Sequence, residues 1–195
     1  MTLNQQPELK EAILRQSQKE KDKLLIRLIN KDKRLMEQLH YLLLEDENDL
    51  YSRILKVKGK LENVFSRAVK GIEKQRQVNR YKEFTAYLKS ASGIVNEHAA
   101  ITKNKESELD LRLMIVEWSF QTYPQFYEKV IRSAYNEAHF LYQTARIKTI
   151  VSLYSKLHED LQFEYDERLS AIMDFAEKTV LKSYVQAAGV KLLLE

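Results

Sequence analysis

The chain has 195 residues, of which 44% are hydrophobic and 31% are charged, and its formal net charge is +4. It contains four glycines, two prolines and no cysteine. So few glycines and prolines argue against sheets joined by many tight turns, and the cysteine count excludes disulfides, thiolate nucleophiles and zinc–thiolate sites. The composition predicts an all-α protein, a multi-helix bundle of compact or elongated form.

The first 45 residues are expected to form an N-terminal helical hairpin with a short lead-in helix. Pro7 suits the first position of a helix, and Ser17 with Glu20 matches a capping box. A break is expected over 30–32, between two leucine-rich stretches. Residues 46–195 are then predicted to form the main helical bundle, continuous with the hairpin as one domain.

Short motifs rich in Lys, Leu and Glu fill the first quarter of the chain: KDKLL (21–25), LI (28–29), KDK (31–33), EQLH (37–40) and LLLE (42–45). Over this quarter the chain resembles the opening of an uncharacterised group of small bacterial all-helical proteins. The resemblance raises a nucleotide hydrolase as an alternative function, and it implies no mechanism.

A long amphipathic helix is predicted from about Asp46 to Leu88. Its apolar residues recur at spacings of three and four: Leu50, Ile54, Val57, Leu61, Val64, Ala68 and Ile72. Gly59 and Gly71 are expected to mark a bend or a close crossing with another helix. A break is predicted over 90–93 and a loop over 102–106.

Residues 94–116 leave two alternatives open. Strict alternation over 108–113 is typical of a strand, with 94–102 as its hairpin partner. Ser107 also suits the start of a helix that is buried nearly all round. Further on, the absence of Gly and Pro between Pro124 and Gly189 predicts either an elongated bundle or breaks near Thr144 and His158. The apolar end, Leu192–Leu194, is expected to dock on the body of the protein or on a second subunit.

The positive charge is concentrated in the middle of the chain. Residues 51–105 carry 13 basic and 4 acidic side chains, whereas residues 106–195 carry 10 and 14. Six basic residues are predicted to line one side of the long helix: Arg53, Lys56, Lys60, Arg67, Lys70 and Lys74. Such a row can follow a phosphate backbone, and without interleaved aromatics its binding would be independent of base sequence. The alternative is a solvated face that the acidic C-terminal third balances.

Patterns for active-site chemistry are incomplete. A di-iron bundle needs two Glu-x-x-His motifs, and Glu37 with His40 supplies one, so no metal site is expected. Pyrophosphohydrolases need Glu-x-x-Glu followed by Glu-x-x-Asp, and the pairs at 8–11 and 164–167 lack that second half. No glycine-rich phosphate loop or serine-nucleophile motif is present, so no cofactor and no catalytic residue is predicted.

One polar cluster near the central loop is a candidate for a small anion, or alternatively a helix-end cap: His98, Thr102, Lys103 and Lys105.

The sequence as a whole favours a cytoplasmic, non-enzymatic interaction or scaffold protein whose partner is another protein or a second copy of itself. Nucleic-acid binding along residues 53–82 is the first alternative, and a nucleotide pyrophosphohydrolase is the second. Neither a signal peptide nor a membrane-spanning run is apparent, so no membrane association is expected.

Overall fold

A computed structural model describes residues 2–75, 77–128 and 134–190, with 77–79 described by their backbone alone. Throughout these ranges the regular structure is helical and no strand occurs, which confirms the prediction of an all-α multi-helix protein. The chain divides into two compact units, Met1–Asp46 and Glu47–Glu195.

The first unit contains a short 3-10 helix and three α-helices: Leu3–Gln5, α1 (Pro7–Leu14), α2 (Gln18–Ile29) and α3 (Lys33–Leu44). The second unit contains the longer helices and four short ones: α4 (Glu47–Glu73), α5 (Gln77–Thr102), α6 (Lys105–Thr122), α7 (Gln125–Glu128), α8 (Ala134–Tyr154), α9 (Glu159–Gln162), α10 (Asp166–Glu177) and α11 (Leu181–Ala187).

The capping box predicted at Ser17 is present at the start of α2. The Ser17 side chain accepts from the Glu20 backbone N–H, and the Glu20 carboxylate accepts from the Ser17 backbone N–H. Hydrogen bonds from the Ser17 hydroxyl and backbone N–H lower the pKa of Glu20. The expected break over 30–32 is present, and Asp32 caps α3 by accepting from the Leu35 N–H at 3.0 Å. Helices α2 and α3 contact each other across this turn.

The prediction of one helix from 46 to 88 is wrong, because α4 ends at Glu73 and α5 begins at Gln77. The two helices pack against each other, so the apolar seam of α4 is buried by its own continuation along the chain. Gly71 is a close crossing, since a Cβ there would lie 2.3 Å from the hydroxyl oxygen of Tyr87. Gly59 has open space around it and marks no crossing.

Helix α5 runs through the predicted break at 90–93 without interruption. Ala91 and Ser92 are buried, and the hydroxyls of Ser92 and Tyr142 are hydrogen-bonded at 2.7 Å. The small residues here serve close packing rather than a turn. The loop expected over 102–106 is shorter, and it includes Lys103 with a φ of 52°.

The predicted strand over 108–113 is also wrong, and the alternative of a buried helix is right. Asn104 caps α6 by accepting from the Ser107 N–H at 2.8 Å, so the cap lies three residues before Ser107, the predicted start. Leu109, Leu111 and Leu113 are all completely buried. An alternating pattern is compatible with this helix because neighbouring helices cover it on several sides.

The long stretch without glycine or proline breaks at one of its two predicted points. Thr144 lies inside α8, where its hydroxyl donates to the Phe140 carbonyl at 2.8 Å. His158 follows the end of α8 and caps the short helix α9. Leu192–Leu194 lie outside the described residues, so their predicted docking has no structural counterpart here.

Aromatic rings fill the centre of the second unit. Phe65 stacks on Trp118 and Phe120 on Phe175, each with 4.2 Å between ring centroids. Phe84 lies at the middle of this group and is completely buried. Such contacts join α4, α5, α6 and α10 into one hydrophobic core. No helix in the described part of the chain is both long enough and apolar enough to cross a bilayer.

An ion-pair network fastens α10 to α6. Arg168 binds Glu117 through two hydrogen bonds of 2.7 and 2.8 Å and Asp110 through a third of 2.6 Å. Lys58 of α4 binds the other oxygen of Asp110 at 2.8 Å. Burial acts to raise the pKa of Asp110, but the hydrogen bonds from Lys58 and Arg168 outweigh it and hold that pKa below its ordinary value.

Candidate functional site

The first unit exposes an unusual amount of apolar surface. Among the described residues, fifteen large hydrophobic side chains are exposed, and ten of these lie in the first 44 positions. The remaining five are spread over the second unit, which is three times as long. No residue of α1, α2 or α3 is buried. Apolar area that stays in water is therefore concentrated in one quarter of the chain.

Seven of these side chains belong to the paired helices α2 and α3, and we name five of them the leucine face: Leu25, Leu28, Met36, Leu42 and Leu43. Their exposed fractions run from 44% for Met36 to 73% for Leu42. Positions 25 and 28 on α2, like 36 and 43 on α3, recur at spacings that place them on one side of a helix. The leucine face is thus a set of exposed apolar side chains on two short, capped helices.

The predicted row of cations divides into an exposed part and a half-buried residue. Five of its members lie on the surface, four of them within α4 and one directly after it: Lys56, Lys60, Arg67, Lys70 and Lys74. These five are named the basic face below. Arg53 is half-buried and takes part in an interaction of its own, so it is not counted with them. The basic residues near position 80 belong to α5, since the helix break separates them from this row.

The four residues of the predicted small-anion cluster differ in burial. His98 and Thr102 are buried, whereas Lys103 and Lys105 are exposed. The His98 ring is 2.9 Å from the Ser107 hydroxyl, and the Thr102 hydroxyl donates to the His98 carbonyl. Burial, followed by the charge of Arg53, lowers the pKa of His98, which keeps its ring neutral near pH 7. Only the two lysines are open to a ligand.

A cavity of about 200 Å³ lies beside this region, at the N-terminal ends of α4 and α6. Glu47, Glu106 and Asp110 are among its lining residues, together with Tyr165. Carboxylates at helix N-termini are favoured by the helix dipole, and Asp110 is already bound by Lys58 and Arg168. The positions of these carboxylates are therefore explained by helix dipoles and ion pairs within the fold.

A buried polar cluster, which sequence reasoning missed, lies between α5, α6, α7 and α8. The Thr85 hydroxyl donates to the Tyr81 carbonyl at 2.7 Å, so it accepts from His139 Nδ1 at 2.9 Å. His139 Nε2 then accepts from the Tyr127 hydroxyl at 3.2 Å. Gln143 donates to the Tyr127 oxygen at 2.6 Å and to the Ser119 hydroxyl at 2.9 Å. The cluster holds a neutral imidazole in the middle of the bundle.

No local signal in the sequence marks this cluster, because Thr85 and His139 are 54 residues apart. Burial lowers the pKa of His139 to about 3 and raises that of Tyr127 above its ordinary range. Both side chains are completely buried, so a solute has no direct access to them. The cluster is therefore a structural element that positions α7 and α8.

The carboxylates considered for a nucleotide hydrolase lie at the surface. Glu8 and Glu11 are exposed on α1, and Glu164, Glu167 and Asp174 are exposed near or on α10. Within the described ranges, no group of three or more His, Asp or Glu side chains is placed to hold a metal ion. The chain matches no protein-family model, no curated protein and no solved structure.

Proposed function

We propose that the chain is a helical interaction protein that self-associates through the leucine face of its first unit. The observation that carries this proposal is the concentration of exposed leucine-sized side chains on helices without a buried residue. Isolated helices of about 12 residues are marginal in water, and most helical stability in proteins comes from packing of an apolar face. Helices α2 and α3 are each 12 residues long, so a partner surface would supply packing that they lack.

A second copy of the chain fits this surface better than a partner of strong charge. Residues 2–46 carry nine basic and eight acidic side chains, so two leucine faces can approach each other without net repulsion. The middle of the chain carries a large positive excess and offers no such balance. Self-association through one apolar patch on both copies is also the commonest arrangement among soluble oligomers, a two-fold dimer.

The test is the mass of the full chain in solution, measured by light scattering across protein concentrations up to roughly 100 µM. The wild-type chain is expected to approach twice its mass of 23.1 kDa. A triple variant, Leu25→Gln, Leu28→Gln and Leu43→Gln, is expected to stay monomeric, because it removes apolar area while keeping good helix formers.

The matched control changes two leucines of the second unit, Leu55→Gln and Leu141→Gln, whose exposed fractions are 50% and 55%. This control is expected to dimerise like the wild type. A wild-type chain that stays monomeric over the whole concentration range overturns the proposal. A dimer that the control disrupts and the triple variant does not would place the contact on the second unit and overturn the proposal equally.

A further inference from the structure

The basic face is a second surface, independent of the leucine face. Its side chains point into solvent because another side of α4 packs into the hydrophobic core. The opposite side of α4 is buried: Val57, Leu61, Val64, Phe65, Ala68 and Ile72. At about 100° per residue, positions 56, 60, 67 and 70 fall within about 80° of the helix circumference. Because the apolar side packs inward, these side chains point into water.

The row is long and free of acidic residues. The helix rises about 21 Å from Lys56 to Lys70 at 1.5 Å per residue. Glu62 and Glu73, the acidic residues of this stretch, lie on another side of the helix by the same angular count. Asn63, which falls between Lys60 and Arg67 on the basic face, is uncharged. A single sign of charge therefore extends along several helical turns.

The cations of the basic face form no ion pair among the described residues, although Arg67 donates a hydrogen bond to the Asn63 carbonyl at 3.3 Å. Lys58, on a different side of α4, is bound to Asp110 at 2.8 Å. In contrast, none of the five residues of the basic face forms an ion pair with another described residue. Like charges at spacings of three and four destabilise a helix. Such a row costs stability, which points to an external anion.

The surroundings of the row favour the backbone of a nucleic-acid duplex as that anion. Duplex DNA carries one negative charge per about 1.7 Å of axis, so about 21 Å of contact offers more phosphates than the row can neutralise. Single strands are usually held by aromatic side chains that stack on bases, and the basic face contains none. A membrane-surface helix inserts its apolar side into lipid, whereas that side of α4 is buried in the protein core.

We infer that the basic face binds the phosphate backbone of duplex nucleic acid without reading its sequence. The five side chains donate hydrogen bonds to phosphate oxygens and displace condensed counterions, which makes binding depend steeply on salt. This inference does not rest on self-association, because α4 belongs to the second unit and a monomer retains the whole row.

The experiment is a fluorescence titration of the full chain with two labelled duplexes of unrelated base sequence, at salt concentrations between about 50 and 200 mM. Five phosphate contacts predict a slope of log K against log salt of about −4.5, or roughly a 500-fold loss of affinity over that range. A triple variant, Lys60→Gln, Arg67→Gln and Lys70→Gln, is expected to bring the slope to about −2, with at least about tenfold weaker binding at low salt.

The control variant removes the same charge elsewhere, through Lys19→Gln, Lys156→Gln and Lys178→Gln, all at exposed positions. It is expected to keep a slope near that of the wild type. An absence of duplex binding at the lowest salt overturns the inference. An equal loss of affinity in the control variant and the triple variant overturns it too, because binding would then depend on net charge and not on the basic face. A third outcome would also overturn the inference. If the wild type binds phosphatidylglycerol vesicles but no duplex, and the triple variant loses vesicle binding, the basic face would be assigned to a membrane surface.

Discussion

At the scale of single residues, His139 shows how the interior of the bundle holds a group that titrates. Its ring donates to Thr85 and accepts from Tyr127, so the neutral form uses both nitrogens. A second proton would place a positive charge at a completely buried position, where it would lose its hydration. That is the physical cause of a pKa of about 3 in the folded chain.

This pKa makes a prediction about stability in acid. Above pH 6.5 the imidazole is neutral in both states, and below it the unfolded chain takes up a proton that the folded chain refuses until about pH 3. Folding is therefore expected to lose about 2 kcal/mol between pH 7 and pH 5 from this residue alone. Urea unfolding of the wild type and of His139→Gln at both pH values measures the difference. Equal losses in the two proteins would contradict this account of His139.

At the scale of elements, the two glycines of α4 have different roles. Gly59 has open space around it, so Gly59→Ala is expected to raise the free energy of unfolding by about 0.5–1 kcal/mol through helix propensity. At Gly71 a Cβ would meet the Tyr87 hydroxyl, so Gly71→Ala is expected to gain nothing or to destabilise the α4–α5 contact. Thermal or urea unfolding of both variants decides. An equal gain at both positions would mean that Tyr87 moves aside without cost.

The ion pairs that hold α10 against α6 give a second prediction at this scale, about stability. Arg168→Met removes three hydrogen bonds to half-buried carboxylates and leaves Glu117 without them, so a loss of about 1–3 kcal/mol is expected. Lys182→Met removes an exposed ion pair with Glu177 and serves as the control, with an expected change below about 1 kcal/mol. Similar losses in the two variants, measured by urea unfolding, would show that the network around Asp110 contributes no more than a surface pair.

The limits of the sequence predictions also lie at the level of elements. The capping box at Ser17 and the cap at Asp32 act within four residues, so local patterns located α2 and α3 correctly. Residues 74–76, between α4 and α5, include neither glycine nor proline, so the sequence gives no local sign that the long helix ends there. The alternation at 108–113 was misleading because α6 is covered on several sides, which removes the usual polar face of a helix.

The two candidate surfaces also differ in how far local sequence patterns could predict them. Helical periodicity was sufficient to find the basic face, because the exposed side of α4 is decided by the apolar residues of that helix itself. The leucine face was harder to predict. Its leucines recur like those of a buried seam, and only the described structure shows that they stay exposed. Periodicity reports that a helix has an apolar side, and tertiary contacts decide whether that side is covered.

At the scale of the whole molecule, the two units differ in how their helices are stabilised. The second unit has a continuous hydrophobic core, and the helices of the first have none within the described residues. Backbone hydrogen bonds in α2 and α3 should therefore open readily in a monomer and become protected when a second copy covers the leucine face.

Hydrogen exchange of the full chain, followed by mass spectrometry at about 1 and 100 µM protein, tests self-association most directly. Peptides from α2 and α3 are expected to exchange more slowly at the higher concentration, whereas peptides from α5 and α6 are expected to exchange equally at both. Exchange in α2 and α3 that is rapid and independent of concentration would contradict self-association through the leucine face.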